Sequence, residues 1–88
     1  MTPADKIREQ LAEANPDALF ADGLDAALIG YTINTCHAHV AVYSAQKCVN
    51  VLVERDGMTA EEAGNYLEFN TYCVFLGRNA PLFVGGGQ

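Results

Sequence analysis

The stretch from Ser44 to Glu62 constrains this chain more than any other, because it reads as one helix, a stop and a second helix start with almost no slack. Ser44 offers an N-cap oxygen. Ala45, Cys48, Val49, Leu52 and Val53 then recur at i, i+3, i+4, i+7 and i+8, the stripe of a core-facing helix. Gly57 stands where a left-handed C-cap is needed, and Thr59 with Glu62 three residues later forms a capping box. Asp56-Gly57-Met58-Thr59 is therefore a helix-to-helix corner. The chain has 88 residues, and a domain of that size buries only about 60 to 65% of its unfolded surface. There is room for one core, so residues 1–88 read as a single domain packed around that corner.

Upstream, Thr2-Pro3-Ala4-Asp5 predicts a helix over residues 2–15, with Thr2 at the N-cap, Pro3 at N1 and the Asp5 carboxylate at the positive end of the dipole. Its apolar stripe (Ala4, Ile7, Leu11, Ala14) is thin, which suits a peripheral helix or one packed on a second subunit. Pro16 ends it. Residues 18 to 26 read as an acidic turn-rich loop pinned by Leu19, Phe20 and Leu24.

Two strands follow. Ala27 to Ile33 alternates Ile29, Tyr31 and Ile33 against Leu28 and Thr32, apolar on both faces, as in a central strand; His39 to Tyr43 is its expected hairpin partner. Helical spacing resumes from Ala60 through Ala63, Tyr66, Leu67, Asn70 and Val74. By propensity, Thr71 to Leu76 suits helix or strand, and helix to about Tyr72, ended by Gly77, fits the spacing better. Pro81 to Val84 is a short edge strand, and residues 85–88 form a flexible tail. The fold class is α+β: a small two-layer domain with a short antiparallel sheet of about three strands packed against two to three helices.

Eleven acidic residues against five basic ones give a net charge of −6. Such a surface repels phosphate backbones and anionic membranes, so double-stranded nucleic acid and membrane are not expected partners. The basic residues are scattered. No stretch approaches the ~18 apolar residues of a membrane span, and the charged N-terminal region lacks the apolar segment of a secretory signal. A cytoplasmic location is expected, and the three cysteines are expected to stay reduced.

The chemistry-bearing residues are few. In Cys36-His37-Ala38-His39 a strand would place the two histidines on one face about 7 Å apart, the one local arrangement able to share a metal. Structural zinc sites draw on two spaced pairs, however, and Cys48 and Cys73 sit in apolar runs as small hydrophobes. Neither metal nor cofactor is expected. A Cys36 nucleophile paired with His37 is disfavoured because neighbouring strand residues face opposite ways. Asp22 and Asp25 read as turn formers, and Glu61, Glu62 and Glu68 as dipole partners and solvated surface. Asn70 lies in an apolar stripe, so its amide must either meet neighbouring backbone or face a ligand or subunit. No catalytic set emerges. The expected binding residues are Tyr43, Lys47, Tyr66, Glu68, Asn70 and Arg78.

From Asp22 to Val84 the words D-G-L-D-A-A-L-I-G, Y-S-A-Q-K-C-V, E-R-D-G-M-T-A-E-E-A and N-Y-L-E-F-N, with Gly77, Pro81 and Phe83, resemble a group of small proteins encoded by tailed phages and prophages. The most specific block is Asp56 to Asn70. Cys73 stands where the group would have glycine, and Ser44 where it would have aspartate, a change that keeps an N-cap. The resemblance implies a setting, an infected bacterial host, and no catalytic residues. The leading expectation is a non-enzymatic, homo-oligomeric binding protein that sequesters or inhibits a host component, in a counter-defence role. Its rivals are a sponge for a small nucleotide, with Tyr43, Tyr66 or Tyr72 stacking on a base and Lys47 or Arg78 meeting phosphate, and a small metal-dependent enzyme using Cys36, His37 and His39.

Overall fold

A computed structural model describes residues 2–21, 23–72 and 77–85, with the side chain of residue 72 outside the description. The elements run α1 (Pro3–Ala14), a short 3-10 turn (Asp25–Ala27), β1 (Leu28–Ile33), β2 (His39–Ser44), α2 (Ala45–Asp56), α3 (Ala60–Leu67) continued by a π-turn (Glu68–Tyr72), and β3 (Leu82–Val84). Three helices and a three-stranded sheet make a small α+β domain.

The helix ends are where local chemistry places them. Thr2 accepts from the Asp5 N–H while the Asp5 carboxylate accepts from the Thr2 N–H, and Thr59 and Glu62 repeat the arrangement at α3. Ser44 caps α2 by accepting from the Lys47 N–H at 3.2 Å. Gly57 closes α2 at φ 70, a left-handed conformation that costs a side-chain-bearing residue about 1–2 kcal/mol. Each cap satisfies backbone groups that the helix itself leaves unpaired.

The sheet departs from expectation in three ways. The order is β1-β2-β3, so β1 is an edge strand and β2 is central. Whereas β1 and β2 pair antiparallel as a hairpin, β3 runs parallel to β2, and the sheet is mixed. A hairpin can join only antiparallel neighbours, but β3 returns through two helices and a turn, a crossover long enough for parallel pairing. The third departure is a bulge at Ile29: Leu28 pairs with Tyr43 and Gly30 with Val42. The extra residue shifts the alternation, so Leu28 shares a face with Tyr31 and Ile33, the partners of Tyr43, Ala41 and His39.

The core gathers Leu11 from α1, Leu24 and Ala27 from the 3-10 segment, Leu28, Ala41 and Tyr43 from the sheet, Cys48 and Leu52 from α2, and Ala63 and Leu67 from α3. α1 thus packs on this molecule's own sheet, with Leu11 fully buried, although Ala14 at the end of its stripe is exposed. Of the expected loop anchors, Leu24 is buried and Phe20 packs against the core, whereas Leu19 is 42% exposed and Ala21 is buried beside them. Asn70 is exposed rather than part of a buried stripe. The π-turn explains this: its wider winding ends the helical phase at Leu67, so the next apolar-stripe position is rotated outward. Thr71 and Tyr72 complete that turn; residues 73–76 and 86–88, on which the helix-or-strand question and most of the expected tail fall, lie outside the described residues.

Candidate functional site

Three segments distant in sequence meet at the loop end of the hairpin. The loop between β1 and β2 is held by Asn34, whose Oδ1 accepts from the N–H groups of Cys36 at 2.9 Å and Ala38 at 3.1 Å. Its Nδ2 donates to the Arg78 carbonyl at 2.7 Å. At the end of α1, Asn15 does the same job: its Nδ2 donates to the His39 carbonyl at 2.8 Å and to Asn79 Oδ1 at 2.9 Å. The Leu19 N–H donates to the Asn79 carbonyl at 3.1 Å. Two asparagines therefore lock α1, the hairpin loop and the turn after Gly77 together.

Between them opens a cleft of about 290 Å³ lined by Asn15, Asp17, His37, His39, Arg78 and Asn79. Both histidines of the chain and one of its five Lys and Arg residues face it, with a single carboxylate. His37 lies in the connection between the strands and not on the strand that a shared histidine face would need. It sits in the loop at φ 62, the one positive φ outside glycine among the described residues. Cys36, exposed beside it, does not converge with the histidines: among the described residues no three metal-ligating side chains come together. The side chains of His37, His39 and Arg78 make no hydrogen bond or ion pair with a described residue, so their donors point at solvent. His39 also lies against Tyr31, ring centroids 6.3 Å apart. A shelf of about 340 Å³ is formed by Tyr31, Thr32, Ile33 and His39, so His39 lines both it and the cleft.

The other expected binding residues are dispersed. Tyr43 belongs to the core: it is fully buried, its ring stacks on Phe83 at 5.3 Å, and its hydroxyl accepts from the Ala21 N–H at 2.9 Å. Burial raises its pKa, opposed in part by that N–H. Lys47 is exposed on the first turn of α2 and lines a groove of about 420 Å³ with Thr2 and Asp25. Tyr66, Glu68 and Asn70 are all exposed on α3 and its π-turn. Asn70 donates to the Tyr66 carbonyl at 3.1 Å, the backbone role weighed for it. The most exposed large apolar side chain there is Phe69, at 73%, one turn beyond Tyr66 at 44%.

Cys48 is wholly buried, and desolvation pushes its thiol up to about 11. It is an inert packing residue. Arg8 pairs with Asp25 at 2.6 Å and lies over the Phe20 ring at 4.4 Å, fastening α1 to the 3-10 segment. The residues that sequence reasoning passed over are Asn15, Asp17, Asn34, Asn79, Tyr31 and Phe69. Only Asn34 and Asn15 carried a local signal, as turn-forming asparagines.

No family model, no curated protein and no solved structure matches the chain.

Proposed function

We propose that the protein is a non-enzymatic binding module of phage origin that sequesters or inhibits a host protein through the outer face of α3 and its π-turn. The observation that carries this is Phe69, 73% exposed, with Tyr66 one turn away. Exposed aromatic pairs of this kind are the side chains that most often anchor protein interfaces, because they bury a large area while ordering only two torsions. π-turns recur at functional positions because their irregular winding re-aims side chains that a regular helix would turn inward. Glu61, Glu62 and Glu68 stand on the same elements, and with a net charge of −6 they favour a basic partner. The phage setting rests on the D-G-M-T-A-E-E-A-G-N-Y-L-E-F-N resemblance.

The test is affinity capture from bacterial lysate with the wild-type chain and with Phe69→Ala. A host protein retained by the wild type is expected to be lost by the variant, since truncating an anchoring aromatic costs about 2 kcal/mol or more, roughly thirtyfold in Kd. Equal capture by both chains would remove α3 from the interface.

Self-association belongs to the same reading. β1 is an edge strand with neither charge nor proline, and Ile29, Tyr31 and Ile33 are 44, 41 and 57% exposed along it. Such an edge pairs readily with another strand unless something blocks it. Light scattering at micromolar concentration is expected to give more than a monomer's mass, and a clean monomer would end that part of the proposal.

A further inference from the structure

We infer that the hairpin-end cleft is a second binding site, independent of α3, for a small phosphorylated molecule with a flat ring, of about mononucleotide size. Charge selects the anion. In a chain of net charge −6, three of its few cationic or protonatable side chains, His37, His39 and Arg78, line one cleft beside one carboxylate, Asp17. None of the three side chains makes a hydrogen bond or ion pair with a described residue, so their N–H donors are available to phosphate oxygens, where charge-assisted hydrogen bonds are strongest. A metal reading of the same side chains fails on geometry, because no three ligating groups converge among the described residues.

Shape selects the rest of the ligand. The cleft of about 290 Å³ and the shelf of about 340 Å³ share His39 as a wall. Small-molecule sites typically run from about 300 to 1,000 Å³, so the cleft and shelf admit a mononucleotide and little more. The shelf offers the Tyr31 ring, 41% exposed, as a stacking surface. The walls are preorganised: Asn15 and Asn34 spend their own amides on backbone and on Asn79 rather than on a ligand. Less ordering then opposes binding. The left-handed backbone of His37 is a local cost of the kind that folds keep where a side chain must be aimed.

Titration calorimetry and amide chemical shifts with AMP, inorganic phosphate and adenosine test the assignment. AMP is expected to bind and to move the resonances of His37, His39 and Arg78; phosphate is expected to bind the same residues more weakly, and adenosine not to bind detectably. Arg78→Ala should weaken AMP binding about tenfold or more, and Tyr31→Ser should weaken AMP without changing phosphate. Asp17→Asn should strengthen both, the opposite of what a cation site would show. His37→Gly separates recognition from folding: glycine suits φ 62, so the variant should melt at or above the wild-type temperature yet bind AMP less tightly. Phe69→Ala should leave AMP binding intact. No shift at the three residues with 10 mM AMP, equal binding of adenosine and AMP, or an Arg78→Ala affinity equal to wild type would each overturn the assignment.

Discussion

The centre of the sheet and the loop end of its hairpin are built from different materials. Around Tyr43, every element contributes an apolar side chain, and the buried polar atoms are satisfied: the Tyr43 hydroxyl meets the Ala21 N–H, and no described buried side-chain nitrogen or oxygen lacks a partner. Around Asn34, little apolar surface is buried, and the structure is held by amides spanning long loops while imidazoles and a guanidinium stay unengaged. Stability is concentrated in the first region and unspent donor capacity in the second. An unsatisfied donor in the core would cost about 1–3 kcal/mol, whereas the same donor facing water costs nothing until a ligand offers something better.

The largest effect that would test this division is a core truncation. Leu52 is 2% exposed, and Leu52→Ala is expected to cost about 2–5 kcal/mol through lost burial and the cavity left behind, read by urea denaturation. A change below about 1 kcal/mol would mean the α2 stripe is not core. Next is the alkaline limit. An unfolded thiol ionises near 8.5, while Cys48 keeps its proton to about 11. Below the unfolded value the two states hold equal protons; above it only the unfolded chain releases one, so stability is lost as pH rises from about 8.5 toward 11, on the order of 1 kcal/mol per pH unit. Cys48→Ala should flatten that slope between pH 8.5 and 10, before Tyr43 contributes. Iodoacetamide at pH 8 should correspondingly label Cys36 and spare Cys48.

Smaller effects sharpen the boundary. Tyr43→Phe strands the Ala21 N–H and should cost about 1–2 kcal/mol; Asn34→Ala should cost a similar amount, but with the loss confined to faster amide exchange in the hairpin loop and the 77–80 turn. If Asn34→Ala instead raised exchange throughout β2 and α2, the two regions would form one cooperative unit. Smallest is the Arg8–Asp25 pair, 31 and 50% exposed, for which a double-mutant cycle should return under about 1 kcal/mol and fade with salt.

Legibility in the sequence followed range. Tyr43 and Tyr66 are the same residue type and both read as stacking candidates, yet one is sealed in the core and the other stands on the surface; nothing within a few residues of either distinguishes them. Lys47, Arg78 and Tyr66 read as candidate binding residues and stand on three different parts of the molecule. His37 and His39 read as strand neighbours sharing a face, and they do share a cleft, although a left-handed turn rather than strand alternation brings them there.

What the sequence determined by itself is the capping box at Thr59, the caps at Thr2 and Ser44, the Gly57 stop, the hairpin, and Cys48 and Leu52 on the buried side of α2, although Val53 of the same stripe is 36% exposed. The caps depend on hydrogen bonds closed within about five residues, whose geometry is nearly independent of the rest of the chain. Tertiary structure alone decided that β1 lies at the edge, that β3 runs parallel, that Asn70 faces outward, and that Asn15 reaches Asn79 across 64 positions to close a cleft around Arg78. Those outcomes depend on which surfaces the whole chain buries together, and a contact between distant residues leaves no periodicity in either segment.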